Sequence, residues 1–124
     1  MLFRSLGTVN LKVGEEYVPI SAEAASIAVE QASRVPGRSS HDIALHLDRT
    51  TTAPGAYPLV LISYQIYCSG YEDASTVELV KTFGQYVVSP EGQQASADAA
   101  KSAPIPRSLA EDAKAAIDSI TKLP

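Results

Sequence analysis

The side chains that could do chemistry begin with two histidines, His41 and His46, each near a carboxylate, Asp42 and Asp48. A histidine, a carboxylate and one of several serines make the parts of a hydrolytic triad. That chemistry also needs the serine on a strained strand-to-helix elbow, and no Gly-x-Ser-x-Gly occurs. His41 sits in a polar stretch beside the only carboxylate near it, which reads as a solvated loop. His46 and Asp48 share a strand face at a spacing of two and, with His41, could be imagined around a metal. Two histidines without cysteine or a recognisable ligand spacing are better explained as a solvated strand face.

Four serines, Ser21, Ser75, Ser89 and Ser108, stand at helix starts, where free backbone N–H groups attract anions. Capping accounts for them, since Glu or Pro follows just inside each helix. There is no Gly-rich phosphate loop. Tyr57, Tyr64, Tyr67 and Tyr71 lack the interleaved basic residues of a base-stacking surface, and read as packing residues with their hydroxyls at the surface. No catalytic, substrate-binding or metal-binding residue is assigned, and no cofactor is implied.

The chain has 124 residues, 45% hydrophobic and 19% charged, with ten basic and fourteen acidic side chains and a net charge of -4. That is globular composition at single-domain length. Scattered Lys and Arg under a net negative charge argue against nucleic acid or an anionic membrane as partner. The opening Met1-Leu2-Phe3-Arg4-Ser5-Leu6 has too short an apolar run for a signal peptide. The longest apolar stretch, Leu59 to Cys68, is half of the roughly 20 residues of a membrane-spanning helix. Cys68 is the single cysteine, and at the end of an apolar run it reads as a buried thiol.

The elements that must hold these residues follow from periodicity. Thr8 to Val13 alternates, Gly14-Glu15-Glu16 interrupts, and Tyr17 to Ile20 resumes, which predicts a hairpin with a short second arm. Ser21 caps a helix whose Ala25, Ala28, Val29 and Ala32 share a face. Arg34 to Ser40, with Pro36 and Gly37, reads as a loop before a half-exposed strand carrying Ile43, Leu45 and Leu47 inward. Arg49 to Gly55 is turn-forming, and the run from Leu59 to Cys68 predicts a strand covered on both faces. Ser75-Thr76-Val77-Glu78 has capping-box spacing for a helix with Val77, Val80, Phe83, Gly84 and Val87 on one face. Ser89-Pro90 opens an alanine-rich helix to Lys101 suited to close packing. Pro104 and Pro106 break it, and Ser108-Leu109-Ala110-Glu111 opens a last helix with Leu109, Ala113, Ala116, Ile117 and Ile120 aligned.

Ala56-Tyr57-Pro58 with the run to Cys68, then Val88-Ser89-Pro90-Glu91-Gly92-Gln93-Gln94 and Ser102-Ala103-Pro104-Ile105-Pro106, resembles the C-terminal third of PstS-type phosphate-binding proteins. These are the extracytoplasmic substrate-binding subunits of phosphate ABC transporters, and the likeness is to their actinobacterial branch. Leu6-Gly7-Thr8-Val9 to Ser21-Ala22-Glu23-Ala24 is similar to the same family's strand pair and helix. Arg49-Thr50-Thr51-Thr52 with Gly55-Ala56-Tyr57-Pro58 carries most of the resemblance.

The resemblance implies an α/β fold, part of a type II periplasmic-binding-protein architecture with mixed sheet strands and C-terminal helices. Its two lobes close on one inorganic phosphate delivered to ABC permease subunits. Residues 1–56 would be a remnant of the second lobe, and residues 57–124 the hinge-crossing strand and helices of the first, together forming one compact unit. The family's phosphate ligands come from segments before those matched, so none falls on this chain. Without the family's export signal and lipid-anchor cysteine, the chain reads as a non-enzymatic fragment acting as scaffold and hinge. Exposed sheet edges would favour a homodimer. A self-associating interaction module without a ligand is the first alternative, and a small hydrolase or metal enzyme using His41 or His46 the second.

Overall fold

The computed structural model describes residues 7–124, so Met1 to Leu6, weighed above as a leader, lie outside the described residues. The chain is mixed α/β, with four helices and three two-stranded sheets among the described residues.

Strands β1 (Leu11–Val13) and β2 (Glu16–Val18) form the hairpin predicted above, with Leu11 opposite Val18 and Val13 opposite Glu16. Gly14 turns the chain at φ +59°, a conformation that costs a glycine little. The second arm stops at Val18 because Pro19 has no N–H for the ladder. Ser21 then caps α1 (Ala22–Glu30), its hydroxyl accepting from the Ala24 N–H at 3.0 Å. Val13, Val18, Ala24 and Tyr57 form one buried cluster with Leu11 at its edge. Tyr57 ties it together: its N–H donates to the Ala24 carbonyl at 2.9 Å and its hydroxyl to the Val9 carbonyl at 3.2 Å.

Beyond α1 the predicted loop and strand are rearranged. Arg34, read as the start of a loop, lies in β3 (Ser33–Arg34), which pairs antiparallel with β4 (Leu45–His46). The strand expected around Ile43, Leu45 and Leu47 is thus reduced to two residues, because its partner offers no more. A larger correction falls on the run from Leu59 to Cys68. It is extended but belongs to no sheet, and Leu59, Leu61, Tyr64 and Ile66 are exposed. A fully covered strand needs neighbours on both edges and both faces, and among the described residues no strand pairs with either edge of this run. Cys68 is accordingly exposed rather than a buried thiol.

The C-terminal half is built on α2 (Ala74–Val87), α3 (Pro90–Ala100) and α4 (Arg107–Asp118). Gly84 of α2 lies against Ile117 of α4, and Ala113, Ile117 and Ile120 are buried on the face predicted for them. Lys81 Nζ donates to the Asp118 carbonyl at 2.9 Å and Gln85 to the Asp118 carboxylate at 2.6 Å, fastening the same pair. Phe83, expected on the inner face of α2, is exposed with Leu79 and Tyr86, since α4 covers only the stripe that contains Gly84. The alanines of α3 are also mostly exposed. What packs closely there is Gly92, whose α-carbon faces the Tyr86 carbonyl.

Two predicted caps are displaced. Asp73, not Ser75, caps α2: its carboxylate accepts from the Thr76 N–H and hydroxyl, both at 3.0 Å, and from the Ser75 hydroxyl. A carboxylate satisfies several donors at once and suits the positive end of the helix dipole, so it takes precedence over a serine two positions on. Those bonds, Ser75 first, hold the Asp73 carboxyl below its ordinary range. Pro106, not Ser108, is the N-cap of α4, with no side-chain cap bond. Ser89 does cap α3, accepting from the Gly92 N–H at 3.1 Å.

After α4 the chain adds a strand the periodicity did not show. Short β6 (Thr121–Lys122) runs parallel to β5 (Gly70–Tyr71), extended by Thr121 N–H to the Ser69 carbonyl at 3.1 Å and Leu123 N–H to the Tyr71 carbonyl at 2.8 Å. No helix among the described residues is long and apolar enough to cross a membrane.

Candidate functional site

A cleft of about 670 Å³ opens between the loop at residues 38–45, the extended segment at residues 62–69 and the facing sides of α2 and α4. Its floor is apolar, formed by Gly84, Val87, Ile117 and Ile120, and its polar side carries Arg38, His41 and Asp42.

The polar side is an ion-pair network that closes on itself. Arg38 meets the Asp42 carboxylate at 2.5 Å, and the other Asp42 oxygen accepts from the Ala44 N–H at 3.1 Å. Arg38, then the Ala44 N–H, holds the Asp42 carboxyl below the usual carboxylate range. Arg34 donates to the Asp42 main-chain carbonyl at 3.4 Å and pairs with Asp112 of α4 at 2.5 Å. The Tyr64 hydroxyl accepts from the Leu45 N–H at 3.0 Å, hanging the extended segment on β4. A free anion brought here would meet guanidinium groups already engaged by carboxylates, and the carboxylates would repel it.

The segment that carries most of the resemblance, around Arg49 and Thr50, is also satisfied internally. Asp48 accepts from the Thr50 N–H and hydroxyl, both at 2.8 Å, and these bonds, more than the neighbouring His46, keep its carboxyl below the ordinary range. Thr51 accepts from the Ala53 N–H at 3.2 Å, and the Arg49 guanidinium donates to the Pro58 carbonyl. It is a braced turn that aims the chain into Tyr57.

The residues weighed for catalysis are not brought together. His41 is exposed at the cleft rim; His46 is exposed on β4, opposite Ser33. Among the described residues no three His, Cys, Asp or Glu side chains are grouped to hold a metal. Of the four serines, Ser21 and Ser89 spend their hydroxyls on capping. Tyr57 is buried as a packing residue, whereas Tyr67 lies on the extended segment, where partial desolvation and then Tyr71 push its phenol up. Sequence reasoning missed the Arg34, Asp42 and Asp112 network, because Arg34 and Asp112 lie 78 positions apart and nothing local marks either as the other's partner.

No family model matches the chain, and no solved structure matches it. Two curated relatives do: phosphate-binding protein PstS2 of Mycobacterium bovis (strain BCG / Pasteur 1173P2) and phosphate-binding protein PstS 2 of Mycobacterium tuberculosis (strain ATCC 25618 / H37Rv). Each is 41% identical over 70 residues. The chain is similar to mycobacterial phosphate-binding proteins. The match covers 56% of this chain and 18% of the length of each PstS2 relative. It meets the resemblance read from the sequence, and the mixed α/β architecture is compatible with part of a periplasmic-binding-protein-like fold.

Proposed function

We propose that this chain is the C-terminal part of an extracytoplasmic phosphate-binding protein serving an ABC-type phosphate importer, in which it supplies scaffold and hinge and no catalytic step. The observation that carries this reading is the 41% identity over 70 residues to two proteins named for phosphate binding. In this reading residues 1–56 belong to one lobe, the extended segment from Tyr57 crosses between lobes, and the C-terminal helices belong to the other. The phosphate ligands lie in regions of the parent outside the matched stretch, in keeping with the engaged states of Arg34, Arg38 and Arg49. Membrane permease subunits are the partners of the parent.

Two titrations test this. Phosphate added to the purified chain, with sulfate as control, is expected to give no stoichiometric heat; selective one-to-one binding would overturn the scaffold assignment. A chimera of the M. bovis PstS2 protein carrying this chain's residues over the matched stretch is expected to bind phosphate within about tenfold of its parent, a difference of about 1.4 kcal/mol or less. Loss of binding by a folded chimera would overturn the phosphate-receptor reading.

A second reading, self-association through exposed sheet edges, is favoured by the apolar, unpaired segment after Pro58.

A further inference from the structure

We infer that a second copy of this chain covers the extended segment at residues 59–67, the two copies pairing antiparallel about a two-fold axis at Ser63. The inference rests on the self-association reading and specifies its surface.

The segment runs from residue 59 to 67 without a turn or bend and belongs to no sheet. Leu59 is 64% exposed, Leu61 94%, Tyr64 47% and Ile66 93%. From residue 59 to 67 no backbone N–H or C=O has a hydrogen-bond partner among the described residues. Both ends of this free stretch are tied off: Arg49 occupies the Pro58 carbonyl, the Tyr71 hydroxyl accepts from the Cys68 N–H at 3.1 Å, and the Ser69 carbonyl accepts from Thr121. An extended, unpaired, apolar stretch is a template for strand addition.

The symmetry and side chains favour a second copy as the occupant. Two-fold symmetric, antiparallel strands in one sheet have their axis normal to the sheet, so the central residue faces its own copy. The free stretch is centred on Ser63. With Ser63 opposite Ser63, Leu59 meets Tyr67, Val60 meets Ile66 and Ile62 meets Tyr64, all aliphatic or aliphatic–aromatic pairs of the kind that stabilise sheets. No charged residue occurs from Thr50 to Tyr71, so no like charges meet along the ladder. Charges flank it with opposite sign, Arg49 braced at the start and Glu72 and Asp73 beyond the end. Antiparallel pairing brings the basic end of one copy to the acidic end of the other, whereas parallel pairing would stack like on like. Leu61 and Gln65 complete the pairing without a buried charge.

Ser63 is exposed and has no hydrogen bond among the described residues, so its variants leave the fold intact, checked by far-ultraviolet circular dichroism. Sedimentation of the full chain is expected to show a dimer. Ser63→Lys and Ser63→Glu, which set like charges opposite each other, should each weaken dimerisation at least tenfold, and their equimolar mixture should restore it. Ser63→Cys combined with Cys68→Ser is expected to form an intermolecular disulfide on mild oxidation, and Tyr64→Cys in the same background much less. A monomeric wild-type chain at tens of micromolar overturns both this interface and self-association. A dimer unaffected by the charge variants and not cross-linked through position 63 overturns this interface alone.

Discussion

Replacing Tyr57 with alanine lowers the stability of the folded chain by about 4 kcal/mol, the loss expected when a large buried aromatic is truncated without collapse of its surroundings. Tyr57 is the piece on which the N-terminal elements converge. Its ring fills the space between Val13 and Val18 of the hairpin and Ala24 of α1, its N–H takes the Ala24 carbonyl, and its hydroxyl takes the Val9 carbonyl. The alanine variant keeps the backbone bond and loses the ring and the hydroxyl bond. Tyr57→Phe separates the two, and its loss is expected near 1 kcal/mol, the net worth of one such hydrogen bond. Urea unfolding followed by circular dichroism checks both. A Tyr57→Ala midpoint within error of the parent would show that the hairpin and α1 do not depend on this ring.

Gly92→Ala has the next largest effect, about 3 kcal/mol, and acts at the other end of the chain. A β-carbon at Gly92 would lie 2.0 Å from the Tyr86 carbonyl oxygen and 2.9 Å from its carbon. Both are main-chain atoms, so no side-chain rotation relieves the clash; the corner between α2 and α3 has to open, at the upper range of overpacking costs. That corner is tightly made, with the Ser89 N–H and hydroxyl both donating to the Tyr86 carbonyl, at 3.0 and 2.8 Å. Gly84→Ala is the control. Its β-carbon would come 3.1, 3.2 and 3.4 Å from the Ile117 Cδ1, Cγ1 and Cγ2, side-chain atoms that need to give by only a few tenths of an ångström, and a loss of about 1 kcal/mol is expected. Equal midpoints for the two variants, measured by urea unfolding, would contradict the distinction between main-chain and side-chain obstruction.

The two positions differ in how visible they are in the sequence. Local signals carry the hairpin and all four helices: alternation around Gly14, serine caps at Ser21 and Ser89, and apolar spacing leading to Ala113, Ile117 and Ile120. These depend on residues a few positions apart, and a sequence displays such relations directly. The two-residue strands do not advertise themselves, because Gly70–Tyr71 and Thr121–Lys122 are too short for a period and are separated by three helices. Gly92 shows only as a glycine in a helix; that its α-carbon abuts Tyr86 is a fact of the corner. The segment from Leu59 reads as a covered strand because its residue types suit one, yet a strand is completed by its neighbours, and residue type cannot supply them. Around the cleft, Arg38 and Asp42 meet within one loop, whereas the contact of Arg34 with Asp112 depends on the whole intervening chain.

The extended segment has a consequence for handling the protein. Proteolytic enzymes bind their substrates as open, stretched chain, and unfolding is normally needed to supply it. Here residues 59–67 already have that form, with Tyr64 and Leu61 exposed as cleavage residues for aromatic- and leucine-directed proteases. A brief digestion of uncovered chain would divide it between the half organised on Tyr57 and the half organised on α2 and α4, leaving the braced turns on either side whole.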